Sequence, residues 1–307
     1  MRRLVVACLA AMALPCVALA QQPALPRTHD GHADLSGVWT QRWITPLERL
    51  PEFPDLVLSA ADAGRLSDLM LERLGVWDPL QAIDDLDPLV VLKVGGELRS
   101  SLIVDPPDGK LPYSEQGKAA RAAWLPNRLR GADDPEERGL NERCIGLSSA
   151  YAPHLSAPIA NIRQIVQTAE HLVIYTEHYL ITRIIPIGGK DNTPGDRHGD
   201  AVARWEGDTL VVETTGFLAG DTSRFVPMSV LMISPATRIT ETFTRLGPDE
   251  ILYRFTVEDP SLYSRPWTAE SVMSRSNERM FEYACHEGNY ALSNILRGGR
   301  AMQAAAN

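Results

Sequence analysis

The sequence predicts a mainly β protein: an antiparallel meander rolled into a closed or partly closed barrel, with a helical and irregular N-terminal segment packed on it. Three observations carry this. From about residue 161 onward, apolar and polar residues alternate in short runs separated by turn residues. Gly207-Asp208 and Gly247-Pro248-Asp249 fit two- and three-residue hairpin turns between such runs. An export signal leaves two cysteines, expected to staple the chain before the sheet to its last strand, the alternative being two buried free thiols. A two-sheet β-sandwich is the alternative arrangement of the same strands.

The signal is read from residues 1–20. Arg2 and Arg3 form a basic start, Leu4 to Leu14 is too short to span a bilayer, and Ala18-Leu19-Ala20 is a small-x-small cleavage site before Gln21. Pro15 before Cys16 argues against a lipid anchor. Cys8 and Cys16 leave with the signal, so Cys144 and Cys285 are expected to form one disulfide in an oxidising periplasmic or extracellular compartment.

The signal holds two of the 30 basic residues and none of the 39 acidic ones, so 28 remain against 39 and the mature net charge is −11. Such a balance excludes nucleic acid as an expected partner. No later apolar run reaches the roughly 18 residues of a membrane helix, so no membrane span is expected.

Residues 21–150 form the N-terminal segment. Ser59 with Asp62 caps a helix whose stripe is Leu66, Leu69, Met70 and Leu74, ending at Gly75. A second helix starts at Ser114 and runs to Trp124, and Asp105-Pro106-Pro107-Asp108-Gly109 is the turn between. Residues 151–290 are the β domain, with about nine strands, enough to close on themselves. The expected strands are Arg163 to Thr168, His171 to Glu177, Leu180 to Pro186, Ala201 to Glu206, Thr209 to Thr215, Thr237 to Arg245, Glu250 to Glu258, Trp267 to Ser274 and Arg279 to Cys285. Residues 291–307 are a C-terminal tail.

Several stretches resemble a large family of exported, β-rich bacterial proteins: Asp34-Leu35-Ser36-Gly37-Val38-Trp39, Asp105-Pro106-Pro107-Asp108-Gly109, Glu142-Arg143-Cys144-Ile145, Gln164-Ile165-Val166-Gln167-Thr168, Arg204-Trp205-Glu206-Gly207-Asp208-Thr209-Leu210-Val211-Val212 and Glu282-Tyr283-Ala284-Cys285-His286-Glu287-Gly288-Asn289-Tyr290. The resemblance implies export and a β-rich body, and brings no agreed activity with it. The chain departs from the family pattern at Ile159-Ala160-Asn161-Ile162, where an Asn-rich segment is expected. It departs again at Leu180, where a His is expected and His178 stands two residues earlier. Gly37-Val38-Trp39 is also similar to the Gly-x-Trp that opens lipocalin-type barrels, which implies an interior cavity.

Pairing across Gly247-Pro248-Asp249 sets Phe243 against Tyr253, Glu241 against Phe255, Ile239 against Val257 and Arg238 against Glu258. Glu241 then stands on an apolar face, either as a general acid or paired with Arg183, Arg204 or Arg254. A last hairpin around Ser276-Asn277 would align Glu270, Glu282 and His286 on one face, with Trp267, Phe281 and Tyr283 on the other. The candidate catalytic set is therefore Glu241, Glu270, Glu282 and His286, with Arg183, Arg254, Trp267 and Tyr283 binding a small-molecule substrate or ligand. The alternatives for that patch and for Trp267 are a solvated polar stripe and a core aromatic. The groups His29 and His32, His171 and His178, and Asp191, Asp196, His198 and Asp200 lack a recognised metal spacing, so neither metal nor cofactor is expected. Two functions follow: cofactor-free acid/base hydrolysis or elimination inside the barrel, or a lipocalin-like periplasmic carrier without turnover. An envelope interaction protein with an exposed apolar patch is a third class.

Overall fold

The computed structural model describes residues 25–74, 90–129, 132, 134–140, 142–146, 151–155, 162–189, 199–219, 223–226 and 229–306. Residues 1–20, read above as an export signal, and Gly75, Asp191, Asp196 and His198 lie outside the described residues.

Nine strands build the barrel: β1 Gly37–Thr40, β2 Ile162–Gln167, β3 His171–Thr176, β4 Ile181–Pro186, β5 Asp200–Glu206, β6 Thr209–Thr215, β7 Arg238–Gly247, β8 Glu250–Glu258 and β9 Trp267–Arg275. They pair in the order β4-β3-β2-β1-β9-β8-β7-β6-β5, every neighbour antiparallel. Nine is odd, so the outer strands β4 and β5 must run the same way. The seam between them is accordingly a parallel bridge, Ile187 to Ala203, where Gly188 N–H donates to the Ala203 carbonyl at 2.8 Å. The sheet is thus a nearly closed barrel, as the alternation of residues implies.

Closure rests on β1, which lies between β2 and β9. Gly37 has φ +144, and a Cβ there would lie 2.7 Å from Arg275 Nη1, so a side chain would displace that guanidinium. Trp39 is fully buried, its Nε1 donates to the Leu35 carbonyl at 2.9 Å, and the guanidiniums of Arg245 and Arg275 lie 4.8 and 4.7 Å from its ring.

The register across the 247–249 turn is the one the sequence implies, including Glu241 opposite Phe255 and Phe243 opposite Tyr253. Alternation buries Ile239, Glu241, Phe243 and Arg245 on β7, and Ile251, Tyr253, Phe255 and Val257 on β8. Arg238 does lie opposite Glu258, but its ion pair is made with Glu213 on β6, 2.6 Å away.

Helix α1 (Ala60–Leu74) and helix α2 (Glu115–Leu129) start as their caps require: Ser59 Oγ accepts from Asp62 N–H at 3.1 Å, and Ser114 Oγ from Gly117 N–H at 3.0 Å. The segment after β1 runs along the edge of β9 that β1 leaves free. Residues 103–105 pair with the first half of that strand, and Trp43 Nε1 donates to the Val272 carbonyl at 2.8 Å. One expectation is corrected. Arg279 to Cys285 is not a strand, because β8 holds one edge of β9 while β1 and residues 103–105 hold the other. The C-terminal tail is a helix, α3 (Tyr290–Ala306).

Cys144 and Cys285 form a disulfide with Cα atoms 5.6 Å apart. It joins the N-terminal segment to the extended segment after β9 rather than to a last strand. Asn289 Nδ2 lies 3.1 Å from Cys144 Sγ and donates to the Glu142 carbonyl at 3.1 Å.

Beyond β8 the chain is locked by Asp259, which is buried and accepts from Ser234 Oγ, Thr237 Oγ1, Ser261 Oγ, Ser261 N–H and Leu262 N–H. Burial pushes its pKa up, but hydrogen bonds from Ser234, Ser261 and Thr237 outweigh this and hold it below the usual carboxylate range. Its stabilisation is therefore present above the ordinary Asp pKa and lost as pH falls through the depressed one. Asp259→Asn is expected to cost about 2 kcal/mol, because an amide turns two donors toward groups that themselves donate. Urea denaturation at neutral pH checks it, and a cost near zero would mean the site is slack.

Candidate functional site

Inward positions of six strands meet in a polar belt. Arg183 on β4 grips Glu241 on β7 with both terminal nitrogens: Nη2 to Oε2 at 2.7 Å and Nη1 to Oε1 at 3.1 Å. Their side chains are 2% and 0% exposed, so the pair is held out of water. Thr214 Oγ1 on β6 accepts from Arg183 Nη2 at 3.2 Å and lies 3.5 Å from Glu241 Oε2. Tyr253 on β8 donates its hydroxyl to Glu241 Oε1 at 2.8 Å. Burial, then the Glu241 carboxylate, raises the Tyr253 pKa well above its ordinary value, which keeps it a donor.

Alongside, Arg163 on β2 donates to Gln41 Oε1 at 2.7 Å, and Gln41 Nε2 donates to Ser271 Oγ on β9 at 2.8 Å. Burial lowers the Arg163 pKa to about 10, which still leaves it a cation at neutral pH.

Residues 151–155, all buried, lie against this belt. His154 N–H donates to the Tyr253 hydroxyl at 2.8 Å, and His154 Nε2 lies 2.8 Å from Arg183 Nη1. A guanidinium only donates, so Nε2 must carry the lone pair here. Arg224, fully buried in the hairpin of residues 223–226 and 229–232, donates from Nε to the Ala152 carbonyl at 2.9 Å. Arg163 Nη2 lies 3.4 Å from the Leu155 carbonyl.

Of the residues singled out from the sequence, the structure brings together Glu241 and Arg183. Glu241 is therefore not alone on an apolar face. Glu270 points outward from β9 and is buried between Arg99 (3.3 Å) and Arg254 (2.8 Å), so it meets neither Glu241 nor the segment after β9. Arg254 is spent on that pair. Glu282 and His286 are exposed on the extended segment and do not share a face with Glu270. Trp267 is fully buried in the barrel, at its edge-on contacts with Phe255 and Tyr263. Tyr283 lies elsewhere, with its ring centroid 4.0 Å from that of His178 and 4.8 Å from that of Tyr179.

Sequence reasoning missed His154, Arg163 and Arg224. His154 stands in Tyr151-Ala152-Pro153-His154-Leu155, which follows neither strand nor helix periodicity, so nothing local marks it. Arg163 was legible as the charged inward residue of β2, at the position opposite Thr176. Among the described residues, no three His, Cys, Asp or Glu side chains gather as for a metal ion, and no helix is long and apolar enough to cross a membrane.

His178 carries a separate signature. Burial lowers its pKa to about 4. The unfolded chain, with an ordinary His pKa near 6.5, then binds the extra proton, so stability falls as pH drops from about 6.5 to 4 and levels off below. His178→Phe is expected to remove about 2 kcal/mol of this acid sensitivity. Urea midpoints of both proteins at pH 7 and 4.5 check it, and parallel shifts in the two would refute it.

Comparison with family models and with curated proteins gives no match for this chain.

Proposed function

We propose that this is an exported protein that binds a small molecule at the polar belt of its barrel, between Arg183, Glu241 and Tyr253 and the segment 151–155, and releases it unchanged. The observation that carries this is the mutual engagement of the ionisable groups: both Glu241 oxygens accept from Arg183, Oε1 also accepts from Tyr253, and the His154 lone pair faces Arg183. A general acid or base needs a proton or lone pair directed at a substrate. Here these are directed at one another, which favours a fixed recognition surface over acid/base turnover. The disulfide and the leader-like residues 1–20 support a periplasmic or secreted location.

Native mass spectrometry of the protein isolated from its exported fraction tests the reading. A bound small molecule of defined mass is expected, unaltered after prolonged incubation, with occupancy reduced in Tyr253→Phe. Conversion of that molecule to a product would support an enzyme instead, and equal occupancy in Tyr253→Phe would move the site elsewhere.

A further inference from the structure

The contacts of residues 151–155 describe what could take their place. Three acceptor atoms of this segment each lie against a different buried arginine: the Ala152 carbonyl receives Arg224 Nε, His154 Nε2 receives Arg183 Nη1, and the Leu155 carbonyl receives Arg163 Nη2. In the other direction His154 N–H donates to the Tyr253 hydroxyl. The groups come from β2, β4, β8 and the separate hairpin of residues 223–226 and 229–232, so elements other than the segment carry them.

Resting on the binding reading above, we infer that the ligand is an organic oxyanion, a carboxylate or phosphate ester, and that residues 151–155 occupy its site as an internal stand-in. A molecule displacing the segment must offer acceptors to guanidinium donors, and an oxyanion does so with charge-assisted hydrogen bonds where the segment offers mostly neutral carbonyls. A neutral amide replaces like with like. A cation would meet three buried arginines, beside a Glu241 carboxylate whose two oxygens Arg183 already engages. The segment therefore sets a threshold: only a ligand whose acceptors exceed its own displaces it.

Isothermal titration of the full oxidised chain with benzoate, phenyl phosphate, inorganic phosphate, benzamide and benzylamine tests this. Benzoate or phenyl phosphate is expected to bind at least tenfold more tightly than benzamide, with benzylamine silent. Comparing the two anions separates a carboxylate from a phosphate ligand, and binding of inorganic phosphate alone would overturn an organic one. His154→Ala weakens the internal competitor and is expected to tighten the anion about fivefold, whereas Arg224→Gln should weaken it tenfold. Circular dichroism establishes that each variant is folded. Should Arg224→Gln fail to fold, His154→Ala still decides, since unchanged anion affinity there contradicts the stand-in. Benzamide binding as well as benzoate, with sensitivity to Tyr253→Phe, would overturn the oxyanion class while leaving the binding reading intact. No binding of any probe to wild type or to His154→Ala would also overturn the oxyanion inference, and the mass measurement then judges the binding reading by itself.

Discussion

Glu241→Leu alone is expected to destabilise the protein by about 3–5 kcal/mol, among the largest effects of any single substitution, because it strands the Arg183 guanidinium inside the barrel. Arg183 is 2% exposed, so it cannot turn its charge to water without opening the sheet. The Tyr253 hydroxyl loses its acceptor in the same step. Arg183→Met combined with Glu241→Leu should recover most of that loss, since removing both charges leaves no unpaired ion and apolar replacements of similar volume often match a buried pair. Guanidinium denaturation of the two single variants and the double variant measures the coupling. Additive losses would show that the two groups act independently, contrary to the bidentate contact.

Opening the disulfide is expected to have a comparable effect. Cys144 and Cys285 are 141 residues apart in sequence, and closing a loop of that size restricts the unfolded chain enough to contribute up to about 5 kcal/mol in a chain-entropy account. The cross-link also holds the segment that seats Tyr283 against His178 and Tyr179. Cys144→Ser with Cys285→Ser should therefore lower the melting temperature by many degrees and raise exchange at residues 276–289 before it loosens β7 and β8. A melting temperature unchanged in the serine variant would show that the N-terminal segment is held by packing alone.

Much of the barrel was legible because a half-buried strand must alternate. Runs such as Ile239-Thr240-Glu241-Thr242-Phe243 declare both their faces and, through the turn at 247–249, their register. Arg183 emerged among the partners of Glu241 for the same reason: an inward carboxylate needs a cation, and few are near. What was not legible depended on edges. Arg279 to Cys285 carries apolar residues at strand spacing, but its pairing depends on an open edge of β9. That edge is taken by a four-residue strand too short to show a period and by residues 103–105 of the N-terminal segment. Once the last hairpin is gone, Glu270 keeps company with Arg99 and Arg254, while Glu282 and His286 stay on the surface. Residues 151–155 were silent for a further reason. They are ordered by contacts with side chains distant in sequence, such as Tyr253 and Arg224, which no local pattern records.

The claim that most depends on motion is that residues 151–155 leave the belt while the barrel stays folded. Hydrogen exchange at the His154 amide, which is buried and donated to the Tyr253 hydroxyl, reads this directly. The account predicts exchange through a local opening, clearly faster than at β8 amides and quickened further by a bound oxyanion, which displaces the segment, without change in β8. Exchange of His154 and β8 at one common rate, set by global unfolding, would contradict it.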